Sequence, residues 1–253
     1  MNFSEFLKTT ADVLHIAAGN DRSKKFTSAL ILTGGSSVRT GGSVTKQMTF
    51  LCGKPVVAHT LIAFQECEAI NEIIVVAKED EAHLYKGLAE KYGLNKITAI
   101  VNGGETRRKS ALNGFGSISP KADFVAIHDA ARCLITKEDI EKVLFAAMKY
   151  KAATAACKAT DTIKIADKKG FIERTEDRNL VWLAATPQIF ARNLYCAAAY
   201  TADEENFEAT DDNMLVERIG YHVKLVETSR DNIKITHADD FEKAEMILRK
   251  RGV

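Results

Sequence analysis

From Ser28 onward, short apolar runs alternate with stretches of helical spacing, and few folds satisfy that order. The strand-like runs are Ala29-Leu32, Glu72-Ala77, Ile97-Val101, Asp123-Ile127 and Ala153-Cys157; helical patterns lie between them near 55–67, 80–92, 106–116 and 137–151. Strands that are apolar throughout must be covered on both faces, as in a mostly parallel sheet flanked by helices, so the sequence predicts an α/β fold. Ligands of such sheets bind at the carboxyl ends of the strands, where the loops after Leu32, Val101 and Ile127 converge. A chain of 253 residues suits one large domain with a sizeable core.

The first of these loops is the most unusual segment. Leu32 to Gln47 reads LTGGSSVRTGGSVTKQ. Gly34 and Gly35 allow close backbone approach to a ligand and leave amide groups free to face oxygen anions, while Arg39 and Lys46 add two cations. The spacing matches neither a P-loop, since Lys46 stands between Thr45 and Gln47, nor the dinucleotide fingerprint, since Ser36 and Ser37 interrupt the glycines and no acidic residue follows at the required distance. The choice is between a polyphosphate site of another kind and a surface loop with two incidental cations.

The later loops carry further candidates. Asn102 to Ser110 reads NGGETRRKS: its glycines suit contact with a flat base whose edge Glu105 or Ser110 would bond, or Thr106 simply caps the following helix. His128 to Arg132 reads HDAAR, placing Asp129 where it can hold a ribose hydroxyl or a magnesium ion, or cap a turn, and Arg132 where it can hold a phosphate. Cys133 and His128 invite comparison with a Cys/His nucleophile, but no third orienting group is evident. Lys234 sits in the strand-like run Asp231 to Thr236, either paired with a ligand anion or exposed on an edge. Thr236 and Asp239 supply a capping signal for a last helix from about 238.

Between about 160 and 180 the alternation breaks. Thr162-Ile165 and Phe171-Arg174 flank Asp167-Lys168-Lys169-Gly170, a hairpin suited to meeting another subunit, with Arg178 at its base. Residues 1–26 read as an added helix and linker before a domain at 27–253. Lys and Arg total 35 against 34 for Asp and Glu, a formal charge of +1, which disfavours nucleic acid as a partner. Five scattered cysteines without a C-x-x-C pair fit reduced thiols. The apolar runs are too short to cross a bilayer and no signal-peptide pattern is present, so a cytoplasmic protein is expected.

Taken in order, LTGGSSVR…KQ, GGETRRKS, HDAAR, ATDTIK, DRNLVW, ATPQIF, TDDNMLVE and DNIKIT resemble the 2-C-methyl-D-erythritol 4-phosphate cytidylyltransferases of the non-mevalonate isoprenoid pathway, over about residues 28–250. The resemblance implies a Rossmann-like nucleotidyltransferase fold, a homodimer clasped through the hairpin arms, and CTP-dependent CMP transfer to a sugar-alcohol phosphate. Carried over by position, Arg39 and Lys46 would stabilise the triphosphate, and Lys234 would contact the α-phosphate. Thr33, Gly34, Gly35, Gly104, Glu105 and Ser110 would hold the cytosine, with Asp129 and Ala130 near the ribose. Arg132, Thr210 and Asp129 would line the acceptor site together with Thr162 and Arg178 of the partner's arm. Magnesium would be the cofactor, held mainly by the CTP phosphates.

The chain departs from the family pattern at Ser37, Thr45, Cys133 and Ala185, where glycine, proline, proline and glutamine are usual. No charged position is lost. The alternatives are a cytidylyltransferase for another polyol phosphate, such as ribitol 5-phosphate, and a catalytically silent nucleotide-binding homologue.

Overall fold

The computed structural model describes residues 25–34 and 46–253. The expected helix and linker of the N-terminal extension therefore lie outside the described residues, except for Lys25 and Phe26. So do Gly35, Ser37, Arg39 and Thr45 of the first loop.

Strand β1 (Thr27–Leu32) is buried along its whole length, as is β4 (Glu72–Ala77). Before β4 come the two-residue strands β2 (Phe50–Leu51) and β3 (Lys54–Pro55) and helix α1 (Val56–Glu66). Helix α2 (Ala82–Tyr92), strand β5 (Ile97–Asn102), helix α3 (Arg107–Phe115) and strand β6 (Phe124–Asp129) follow. Next are α4 (Lys137–Tyr150), β7 (Ala152–Lys158), β8 (Lys164–Ala166), β9 (Ile172–Thr175) and β10 (Trp182–Ala191). The chain ends with α5 (Arg192–Glu204), α6 (Asp212–Arg218), β11 (Lys224–Glu227) and α7 (Ala238–Lys250).

Seven strands form one sheet in the order β11-β7-β10-β6-β1-β4-β5. Every neighbouring pair is parallel except those made by β10, which runs antiparallel to both β6 and β7. The apolar runs thus form the doubly covered sheet their composition demands. Alternate residues feed opposite layers: Ala29, Ile31, Ile73 and Val75 join one core, with residues from α1, α2 and α4, while Leu30, Leu32, Ile74 and Val76 join the other, with residues from α3, α5 and α6. Each such Leu, Ile or Val contributes about 1.5–3 kcal/mol by leaving water, so the central strands are rigid supports for the loops at their carboxyl ends.

A third cluster joins Leu51, Val56, Cys133, Leu134, Ile235, Ala244 and Leu248. It fastens α7 and the stretch carrying Lys234 to the loop after β6. That stretch corrects one expectation. Residues 232–236 belong to no strand; Ile235 is buried and its N–H donates to the Ala131 carbonyl (2.9 Å), tying this stretch to the loop after β6 without a ladder. The cap of α7 is also displaced from Thr236 and Asp239. The helix starts after His237, and the Asp240 carboxylate accepts from the Thr236 and His237 amides (both 2.8 Å).

The predicted hairpin is present as the separate pair β8 and β9. Gly170 takes φ +87° at its turn, and Asp167 accepts from the Lys169 and Phe171 amides (both 2.9 Å).

Candidate active site at the carboxyl ends of the strands

Beyond β1, Thr33 is buried, and both its N–H and its hydroxyl donate to the Val76 carbonyl (2.9 Å each). Its own carbonyl accepts from Gln47 Nε2 (2.8 Å), which ties the start of the glycine loop to its end. Gly34 follows at the exposed lip, and Lys46 opens a short 3₁₀ turn, Lys46–Met48. Gln47 is therefore part of the frame, although only its neighbour Lys46 stood out in the sequence.

Beyond β5, Thr106 caps α3 by accepting from the Lys109 amide (3.1 Å), so the capping expectation holds. The base-contact expectation is compatible with it, because Ser110 accepts from the Gly104 N–H (3.0 Å) and thereby shapes the loop. A β-carbon on Gly104 would lie 2.4 Å from Lys109 Cγ, so this turn admits no side chain without shifting α3. Glu105 is exposed at its tip.

Beyond β6, Asp129 is the electrostatic centre. One carboxylate oxygen accepts from Arg107 Nε (3.2 Å) and the other from Lys234 Nζ (2.8 Å). Burial acts to raise this carboxyl, but Arg107 and Lys234 outweigh it and hold the group well below the usual carboxylate range. Ala130 is buried behind it. Arg132 donates through Nη1 to the Asn232 carbonyl (2.9 Å), while its buried Nε has no hydrogen-bond partner among the described residues. A desolvated guanidinium with an unused donor suits an anionic ligand.

His128 does not act as a base. Its Nε2 faces the Arg132 carbonyl (3.2 Å), which can only accept, so Nε2 carries the proton and Nδ1 accepts from the Thr186 hydroxyl (3.0 Å). That hydroxyl in turn accepts from the Asp129 N–H (3.1 Å). Burial pushes the imidazole down to about 3, with Asp129 opposing the shift, so the ring is neutral at any physiological pH. Burial pushes the Cys133 thiol up to about 12. A Cys/His nucleophile is excluded on both counts.

Four residues of this network had no assigned role in the sequence: Arg107, Thr186, Asp212 and Asn232. Arg107 Nη1 donates to Asp212 (2.5 Å), whose other oxygen accepts from Tyr195 (2.9 Å). Asn232 Nδ2 donates to the Thr186 carbonyl (2.9 Å). Thr210 is exposed just before α6, its hydroxyl on the Met214 sulfur (3.1 Å). The remaining two acceptor candidates stand apart within the arm: Thr162 is exposed, and Arg178 Nη1 donates to the Thr160 carbonyl (2.9 Å).

The family model for 2-C-methyl-D-erythritol 4-phosphate cytidylyltransferase (IspD) matches residues 27–250. The chain belongs to this family. It is 45% identical over 224 residues to the 2-C-methyl-D-erythritol 4-phosphate cytidylyltransferase of Caldanaerobacter subterraneus subsp. tengcongensis, covering 88% of this chain and 99% of that one. The protein of the same name from Alkaliphilus oremlandii is 40% identical over 226 residues, covering 89% and 96%. Among solved structures, the 4-diphosphocytidyl-2C-methyl-D-erythritol synthase of Anaerococcus prevotii superimposes with a TM-score of 0.80 at 31% identity, over 89% of this chain and 99% of that one. The cytidylyltransferase of Thermus thermophilus gives 0.72 at 29%, over 87% and 98%. The fold is therefore that of the cytidylyltransferases, and the protein is a CTP-dependent nucleotidyltransferase.

Proposed function

We infer that this enzyme transfers CMP from CTP to 2-C-methyl-D-erythritol 4-phosphate, giving 4-diphosphocytidyl-2-C-methyl-D-erythritol and pyrophosphate. The observation that carries the reading is Lys234 bonded to Asp129, with Arg132 near enough to feel the same carboxylate, in a chain matched by the family over 27–250. The relatives share one acceptor name, and this disfavours ribitol 5-phosphate and a silent homologue.

The chemistry asks for position and charge. An acceptor phosphate oxygen attacks the α-phosphorus of CTP in line, a new P–O bond forms, and the bond to the leaving pyrophosphate breaks. The nucleophile is already an oxyanion, so no general base is needed, in keeping with a neutral, enclosed His128. Thr33, Gly34, Gly35, Gly104, Glu105 and Ser110 hold the cytosine; Asp129 and Ala130 face the ribose; Arg132 and Thr210 receive the acceptor. Arg39, Lys46 and Lys234 offset charge that grows on the phosphates.

No group of three or more potential metal ligands occurs among the described residues, and both Asp129 oxygens already accept from cations. Magnesium would be held mainly by the CTP phosphates, whose charge it would neutralise.

The same proposal includes a cytoplasmic homodimer in which Thr162 and Arg178 of one arm serve the other subunit. Phe171, Ile172, Leu180 and Leu183, all more than half exposed, support an arm that packs on a partner. Among the described residues no helix is long and apolar enough to cross a membrane. The test is pyrophosphate release with each of four nucleoside triphosphates and a panel of polyol phosphates. Activity is expected with CTP and methylerythritol phosphate; preference for another pair would overturn the assignment.

A further inference from the structure

Asp129 receives two cations that differ in kind. Lys234 is about half exposed, with 44% of its side chain accessible, and among the described residues it pairs with Asp129 alone. Arg107 is pinned at the first turn of α3 between Asp129 and Asp212, a carboxylate only 1% exposed. Asp212 is itself fixed three ways, by Arg107, by the Tyr195 hydroxyl, and through its N–H, which donates to Gln188 Oε1 (2.9 Å). One cation is half exposed and held by a single carboxylate, and the other is held between two.

We propose that Arg107, anchored by Asp212, is the positioning residue that keeps Asp129 charged and oriented for the nucleotide when Lys234 turns from the carboxylate to a phosphate. The assignment rests on the functional reading above. Without Arg107, the departure of Lys234 would leave the largely enclosed Asp129 carboxylate with no directly bonded cation, only the more distant Arg132, and Asp129 would then compete with the substrate for the lysine. The bridge has a second consequence. Arg107 directly follows Thr106, so the same residue ties the Gly104 loop, the end of β6 and the start of α6 into one unit. A bidentate guanidinium does this where an ammonium cannot.

The test is CTP affinity measured by titration calorimetry. Removing the guanidinium alone would strand Asp212, so the variant is R107Q combined with D212N, with thermal melts confirming the fold. It is expected to weaken CTP binding about tenfold in the wild-type background but less than about twofold in the Asp129→Asn background, because the group it positions is gone. Equal losses in both backgrounds, or no loss in the first, would overturn the proposal. Arg107→Lys retains the charge but reaches one carboxylate only; it carries the same comparison should the double variant not fold, with a loss of about threefold expected. Wild-type protein that binds CTP yet forms no product would refute the functional reading and leave this test standing. Wild-type protein that binds no CTP would overturn both.

Discussion

His128 makes a prediction that can be worked to a number. In the folded protein its imidazole is enclosed, neutral and depressed to about 3, whereas the unfolded chain titrates near the ordinary 6.5. Between those values the unfolded state binds a proton that the folded state refuses. Stability from this residue is therefore complete above 6.5 and declines as the pH falls toward 3. From pH 7.5 to pH 5 the loss is about 2 kcal/mol for a single group, at 1.36 kcal/mol per unit below 6.5. The charged groups acting on the ring are Asp129, which raises it, and Arg132 and Arg107, which lower it further. The perturbation is His128→Asn, whose amide oxygen can still accept from Thr186 but cannot be protonated in this range. Asparagine forfeits the contact with Phe64, at 5.0 Å between ring centroids, and the bond to the Arg132 carbonyl, so it should cost about 2–3 kcal/mol at pH 7.5. Urea unfolding at fixed protein concentration, repeated from pH 7.5 to pH 5, reads the difference. His59, lowered mainly by burial, remains in both proteins and cancels. The gap between wild type and variant should close by about 2 kcal/mol across that range. Parallel curves would refute the neutral, enclosed imidazole.

Three other outcomes follow from the same structure. A β-carbon on Gly114 would lie 2.6 Å from Val76 Cγ2 where α3 crosses the sheet, so Gly114→Ala should destabilise the fold by about 1–3 kcal/mol in denaturant titration. Lys46→Ala should lower kcat by about 10²-fold while the protein still folds, as expected for one preorganised charge lost from the transition state. If the arm completes the neighbouring site, mixing inactive Lys46→Ala with inactive Arg178→Ala protein should restore part of the activity once subunits exchange; verified exchange without recovery would count against sharing.

The parts of the fold legible in the sequence were those where one physical demand dominates. Runs such as Leu30 to Leu32 and Ile73 to Val76 are apolar on both faces because both faces are covered. The hairpin was legible from Gly170 and Asp167. Strand β11 was not, because it lies at the sheet edge with three of its four residues exposed, and α6 is only seven residues long. The site divided along the same line. Asp129, Arg132 and Lys234 stood out as isolated charges in apolar surroundings. Arg107 did not, because it begins the run Arg107-Arg108-Lys109, which reads as one solvated patch. Only the packing of α3 against α5 and α6 separates them, sending Arg108 and Lys109 to Asp203 and Arg107 inward to Asp129 and Asp212. Thr186 and Asn232 escaped notice for a related reason: their value lies in bonds to residues 46 to 58 positions away.

The reaction is defined by the phosphorus–oxygen bond that forms. Purified protein incubated with CTP and 2-C-methyl-D-erythritol 4-phosphate, followed by phosphorus NMR, should show a new diphosphate diester and pyrophosphate accumulating in equal amounts, both dependent on the acceptor. Pyrophosphate accompanied by free CMP, or no loss of CTP while the protein remains folded, would contradict it.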